Sequence, residues 1–354
     1  MESIFDYLKR KDLVPITEPN ETDLYLFSML SYAKFEKAIK MGIKTITLSN
    51  LSHIYLATPI RKGTTSKNMA QFVALIGKNP RYKGLKITHL KSLIDREKEI
   101  QFAALTVLLP NGDVFISYRG TDETLVAWKE DANLSFLETV PSQILAEEYL
   151  REVAAKHPEA KIYIGGHSKG GSLAVYAAAT TNEEVSSRIE YILDADSPGQ
   201  RDYILSSRGY KLVLPRIHSF IPEYDIVGLI FRKKGRINVI SSSRKGAWQH
   251  YYMSWNIDGD HLQRIKEIES GEQLDEGSFN SIMSKLTNKQ LRDYVETVYA
   301  LIKEEGEVIN LVDLMRIKSL LRINQRFSSL PKEKKDEVRR ISVLLFQSIV
   351  LNRR

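Results

Sequence analysis

The sequence predicts an α/β fold in which a mostly parallel central sheet is flanked by helices, followed by an all-α C-terminal appendage. Three observations predict it. Short β-branched and aromatic stretches alternate with helical stretches through the middle of the 354-residue chain, the pattern that builds parallel strands joined by helical crossovers. One such stretch, Lys161 to Ile164, runs into Gly166-His167-Ser168-Lys169-Gly170 and then into a small-residue helix (Ser172, Leu173, Ala174, Ala177, Ala178, Ala179). From Phe279 onward the chain reads as helix alone. The expected organisation is an α/β domain with an N-terminal helical segment over residues 1–275, then a basic helical subdomain over residues 276–354.

Taken in order, residues 1–40 read as helical. Thr22 or Asp23 stands as a cap before Leu24, Leu26, Phe27, Leu30, Tyr32 and Phe35, which recur at helical spacing. Residues 61–100 are polar and mixed, with Gly63, Gly77, Pro80 and Gly84 as breakers. Gln101–Leu109 and Asp113–Tyr118 read as strands, and Pro110-Asn111-Gly112 between them marks a hairpin. Ser142–His157 reads as an amphipathic helix. Further strands are expected near Tyr191–Asp194, Arg216–Ile221 and Arg236–Ile240.

Composition narrows the classes. A hydrophobic fraction of 43% and a charged fraction of 27% fit a soluble globular protein. The chain has no cysteine, which excludes disulfides, thiolate metal sites and a cysteine nucleophile. Met1 to Arg10 lacks an apolar segment after a basic start, and the longest apolar run, near Ile341–Leu351, is broken by Gln347 and Ser348. The expectation is a cytoplasmic protein without a secretory signal or membrane span. Net charge is +7, from 51 Lys and Arg against 44 Asp and Glu. From Leu311 onward there are 11 basic and 4 acidic residues, which leaves 40 of each sign elsewhere. The basicity therefore belongs to the C-terminal helices. It reads as a solvated face, with peripheral contact to an anionic surface as the alternative. Neither zinc-ligand spacing nor aromatic-interleaved basic strands point to nucleic acid.

The Gly166–Gly170 run carries the chemistry. Strand, sharp turn, serine and helix form the setting of a nucleophile elbow, in which the bend projects the hydroxyl above the sheet. Gly166 and Gly170 suit it because a Cβ at either would clash with the crossing strand or helix. An ordinary glycine-rich strand-to-helix turn is the plain alternative. A serine hydroxyl is a weak nucleophile and needs an imidazole to take its proton, with a carboxylate to fix the imidazole. Asp225 follows the strand ending at Ile221, at the sheet edge where site residues gather. Asp196 also follows a strand and is the alternative acid, or else an Asx-turn residue; Glu223 reads as solvated. His250, among Trp248, Tyr251, Tyr252 and Trp255, is the candidate base, with His261 as its rival. For the oxyanion, the N–H of Lys169 is one expected donor and Thr121, after Tyr118-Arg119-Gly120, the other. No metal or cofactor is expected.

These segments carry a resemblance. Tyr118-Arg119-Gly120-Thr121, Trp128, Gly166-His167-Ser168-Lys169-Gly170-Gly171, Asp196-Ser197-Pro198-Gly199, Asp225-Ile226-Val227-Gly228 and a late histidine resemble the fungal-type (class 3) lipases of the α/β-hydrolase superfamily. The fuller pattern, with Gln249-His250 and Ser254-Trp255, is similar to a bacterial lipase-like family of unassigned function. The resemblance spans roughly residues 1–262. It implies an α/β-hydrolase fold, Ser168 as nucleophile, His250 as base, and Thr121 with Lys169 as oxyanion donors. Asp225 matches the lipases' acid, but Gly228 replaces their proline, which leaves Asp196 open. The expected activity is a serine esterase on acyl or lipid esters through an acyl-enzyme, with Asp122–Pro141 as a lid over the acyl pocket. The alternative is a catalytically silent scaffold whose basic tail binds a partner or an anionic surface.

Overall fold

The computed structural model describes residues 2–59, 64–225, 227–268, 283–303 and 317–351. The chain forms two compact units. The first is Met1–Leu93, Phe102–Gly120 and Gln143–Glu272; the second is Ile94–Gln101, Thr121–Ser142 and Gln273–Arg354. The boundary expected at residue 275 lies outside the described residues.

Among the described residues the strands are β1 (Glu2–Ser3), β2 (Thr45–Thr47), β3 (Lys86–Asp95), β4 (Ile100–Leu108), β5 (Val114–Tyr118), β6 (Ile162–His167), β7 (Ile189–Ala195), β8 (Ile217–Pro222), β9 (Ile237–Ile240), β10 (Asn256–Asp258), β11 (His261–Leu262) and β12 (Arg264–Ile268). Nine of them form one sheet in the order β12-β9-β8-β7-β6-β5-β4-β3-β2, and β1-β10-β11 form a small second sheet. The centre is parallel: β5, β6, β7, β8 and β9 pair successively in that sense. Both flanks are antiparallel, β4 on β5 and β2 on β3 at one side and β12 on β9 at the other. The hairpin at Pro110-Asn111-Gly112 imposes the first of these reversals, because a short turn cannot make a parallel crossover. All five residues of β5 are buried, and β6 is buried except for Tyr163, as expected of strands covered on two faces. The sheet is mostly parallel at its centre and belongs to an α/β fold, with the helix Lys169–Thr180 leaving the C-terminal end of its central strand β6.

The stretch read as polar and mixed holds a helix, Thr64–Lys78, and the ten-residue β3. The breakers delimit these elements rather than abolish them: Pro80 follows the helix end, and Gly84 precedes the strand. The polar face of β3 hides its alternation, since only Ile87 and Thr88 are buried.

The N-terminal helix Glu21–Leu30 begins one residue before the expected caps. Asn20 is its N-cap and forms a capping box with Asp23. This helix lies on the sheet, with Ser117 of β5 donating to the Ser28 carbonyl at 3.1 Å. Asp23 is fully buried and paired with Arg81 at 2.5 Å, while the Tyr82 hydroxyl donates to it at 2.6 Å.

In the second unit, helices run over Leu125–Asn133, Asn288–Ile302, Ile317–Ser329 and Lys332–Leu351. Phe136 packs in a core with Leu286, Leu291 and Ile341. Lys129 is buried, held by Asn133 at 3.2 Å, Glu296 at 2.5 Å and Glu99 at 3.6 Å. Of the apolar residues expected in a lid, Leu125, Val126, Leu134 and Phe136 are buried and Trp128 is half exposed. No helix of the described residues is long and apolar enough to cross a membrane.

Removing one partner of a buried pair strands the other charge, whereas replacing both by apolar groups need not. Arg81→Leu is therefore expected to cost about 3 kcal/mol of stability in urea unfolding, and Asp23→Leu with Arg81→Leu to recover most of that loss.

Candidate active site

The site begins with a backbone reversal. β6 ends at His167, the helix starts at Lys169, and Ser168 between them has φ 55° and ψ −135°, in the left-handed region that a side chain resists. The Ser168 N–H donates to the Ala195 carbonyl at 2.9 Å, which ties the turn to the end of β7. A Cβ on Gly166 would come within 2.6 Å of the Tyr118 carbonyl oxygen, and one on Gly170 within 3.0 Å of the Gly120 nitrogen. Neither backbone neighbour can retreat, so both positions require glycine.

The reversal presents Ser168 to His250. The Oγ of Ser168 lies 3.1 Å from Nε2 of His250, within reach for proton transfer. His250 closes the short 3-10 helix Gly246–His250 beyond β9, and its neighbour Gln249 fixes that segment. The Gln249 side chain accepts from the Tyr224 N–H at 2.8 Å and donates to the Arg244 carbonyl at 3.1 Å, and the Trp255 indole donates to the Gln249 carbonyl at 2.8 Å.

Both candidate acids reach the other ring nitrogen. Nδ1 of His250 is 2.8 Å from Asp196 Oδ2 and 3.4 Å from Asp225 Oδ2. Asp196 follows β7, with φ 49° and its N–H donating to the Phe220 carbonyl at 2.7 Å. Asp225 follows β8, and its Oδ2 accepts from the Val227 N–H at 2.8 Å. Burial, then the charge of Asp225, pushes Asp196 well above the usual carboxylate range. Burial also works against ionisation of Asp225, but hydrogen bonding and charge from His250 outweigh it and hold that carboxyl down. Burial drives the His250 imidazole down, and the two aspartates overcome this to push it up to about 10.

A wall of rings encloses His250. His167 lies 4.6 Å from the His250 ring, with Tyr252 and Trp255 beyond it. Burial, then His250, holds His167 well below its ordinary value, so it is neutral. Its Nδ1 is paired with the Tyr32 hydroxyl at 2.9 Å. Tyr25 stacks on Trp255 and donates to the Tyr252 carbonyl at 2.5 Å. Sequence reasoning gave Tyr25 no part and counted Tyr32 only in a helical stripe; 135 residues separate Tyr32 from His167, so no local spacing signals the contact.

The remaining expected residues are placed as follows. Lys169 is the first residue of the helix after the serine, and its side chain is buried. Gly120 lies against the elbow, since a Cβ there would clash with the His167 carbonyl and the Tyr32 hydroxyl. Thr121 belongs to the second unit, where its hydroxyl donates to the Asp131 carboxylate. His261 is an exposed residue paired with Asp260 at 3.0 Å, and Glu223 is partly exposed. One donor atom each from His167, Asp196 and His250 lies within 4.8 Å of the others. That set has the chemistry of a zinc ligand group, but it overlaps the Asp196–His250 hydrogen bond and belongs to the same cluster.

Comparison with known proteins gives a family and a set of folds. A family model described as Mbeg1-like matches residues 76–300, so the match starts later than the expected resemblance and runs past residue 262. No curated protein matches. The chain is similar to a fungal lipase–inhibitor complex at 17% identity and a TM-score of 0.38, covering 61% of this chain and 78% of that one. It is similar to a Rhizomucor miehei lipase propeptide complex at 15% identity and a TM-score of 0.38, covering 65% and 76%. A mutant form of MDLA from Penicillium cyclopium matches at 15% identity and a TM-score of 0.41, covering 71% and 87%.

If the elbow stores strain at Ser168, glycine relieves it and alanine does not. Ser168→Gly is expected to unfold at higher urea than Ser168→Ala, by about 1–2 kcal/mol. Equal stability of the two variants would mean that the turn is unstrained.

Proposed function

The chain belongs to the Mbeg1-like family, and from its site we propose that it is a serine hydrolase that cleaves carboxylic esters through an acyl-enzyme. The observation that carries this reading is the 3.1 Å contact between Ser168 Oγ and His250 Nε2 at a turn held in the left-handed region. A hydroxyl so presented, with an imidazole in reach and a carboxyl behind it, has the parts of a nucleophile–base–acid relay.

In this reading Ser168 attacks the acyl carbonyl while Nε2 of His250 takes its proton. The tetrahedral oxyanion is received by the backbone N–H groups of Lys169 and Thr121. Collapse expels the alcohol, which leaves with the proton from Nε2, and Ser168 is acylated. Water then repeats the sequence, with His250 as base, and frees the acid. Asp196, with the shorter contact to Nδ1 at 2.8 Å, keeps that nitrogen as the hydrogen-bond donor and so fixes Nε2 as the acceptor.

The second unit supports a lipid or long-chain acyl ester as the substrate class. Leu320 and Leu321 are exposed next to Arg322, and Val343 is exposed one turn after Arg339 and Arg340. Apolar side chains projecting among cations suit a surface of anionic headgroups. The full chain is expected to sediment with vesicles containing anionic lipid and not with neutral ones, and to be released by salt.

A fluorophosphonate probe tests the chemistry. Labelling is expected in the wild-type protein and absent in Ser168→Ala. His250→Gln is expected to lower ester turnover by roughly a thousandfold or more. A protein that neither labels nor turns over acyl esters or acyl-thioesters would be the silent scaffold instead. The ratio of ester to thioester activity assigns the subclass.

A further inference from the structure

Two buried carboxyl groups address one nitrogen that carries at most one hydrogen. Asp196 Oδ2 and Asp225 Oδ2 stand 2.8 Å and 3.4 Å from His250 Nδ1, and their side chains are 0% and 1% exposed. Among the described residues, His250 is the only cationic partner of either. Two neighbouring carboxylates without water or a second cation repel strongly. Asp196 Oδ1 is buried and has no hydrogen-bond partner. Ionised carboxylates only accept, so two of them crowded on one buried imidazole favour a proton on one.

Gly228 supplies an independent observation. A Cβ at this position would lie 2.6 Å from Asp196 Oδ1 and 2.8 Å from Ile221 Cδ1. The missing side chain is the space that the Asp196 carboxyl occupies beside Asp225.

We propose that Asp196 and Asp225 form a carboxyl–carboxylate pair holding one proton between them, so that His250 faces a single net negative charge and stays available as a base. The proposal rests on the hydrolase reading of Ser168. The proton sits on Asp196. Asp196 Oδ2 accepts from Nδ1 of a neutral imidazole. Asp225 carries the charge, steadied by the Val227 N–H at 2.8 Å. When Nε2 takes the serine proton, the imidazolium meets one negative charge, and no further proton enters or leaves the cluster. Asp196, raised by burial, fits this division. Were both ionised, the imidazole would remain protonated at neutral pH and closed to the serine proton. The other titratable groups facing the cluster are His167, held neutral by burial, and the buried hydroxyls of Tyr25 and Tyr252, both pushed up by burial. The Tyr32 hydroxyl is spent on His167.

The first test needs no turnover. In full-length Ser168→Ala at neutral pH, where both carboxyls are native, the infrared spectrum is expected to show the carbonyl stretch of a protonated carboxylic acid. That band is expected to vanish on adding either Asp196→Asn or Asp225→Asn. Its absence from the parent, or its survival in either variant, overturns the pair. In the active protein either single asparagine variant is expected to lower kcat/KM, and the double variant to lose about 10³–10⁴-fold. The acid limb of kcat/KM is expected to stay in place in both single variants. A fall of that limb by about one pH unit or more in either variant would mean that His250 had faced two full charges, and overturns the proposal. A wild-type protein that shows the band but cleaves no ester keeps the pair and rejects the hydrolase reading.

Discussion

The arrangement depends on one residue held in an unfavourable backbone conformation. Ser168 bridges a strand and a helix at φ 55°, and the turn survives only because its surroundings leave it no alternative. Its N–H is bonded to Ala195, and the flanking glycines let Tyr118 and Gly120 approach to van der Waals contact or closer. The same bond that fixes the serine fixes the end of β7, and Asp196 is the next residue. Ser168 and Asp196 are thus set by one junction between adjacent parallel strands, and their relative position does not rely on a flexible loop.

The imidazole of His250 arrives differently. His250 sits on a 3-10 segment beyond β9, where little regular structure constrains it. Packing replaces regularity. Gln249 is bonded through both side-chain and main-chain atoms, and Trp255 is buried against Tyr25 of the N-terminal helix. That helix is anchored in turn by the buried Asp23–Arg81 pair. The N-terminal segment therefore acts on the site from a distance, as the backing that holds the imidazole loop against the sheet.

Much of this was legible in the sequence where the signal was local. The hairpin at residues 110–112, the helix before β6 and the strands around residues 191, 217 and 237 follow from turn residues and periodicity, and β4 to β9 lie where the pattern places them. Ser168, Asp196, Asp225 and His250 each stood out by context, and their side chains come together. What was not legible was the meeting itself. Two acids from successive strand ends converge on one nitrogen, a fact of register and not of spacing. Likewise β3 was hidden because an edge-side strand with one wet face and polar residues lacks the alternation on which reading depends. Asn20 does not stand out as a cap because Thr22 and Asp23 compete with it in the same polar run; only the hydrogen bonds distinguish them.

The two ends of the main sheet have a consequence for the protein in a crowded solution. The outermost strand on one side, β2, is only three residues long, and the outermost on the other, β12, is Arg-Ile-Lys-Glu-Ile, with charges at three of five positions. Exposed margins of this kind offer few unpaired amides and an electrostatic obstacle to a second chain. The nine-stranded surface is thereby a poor template for intermolecular strand addition, and oligomers built by extending the sheet are disfavoured.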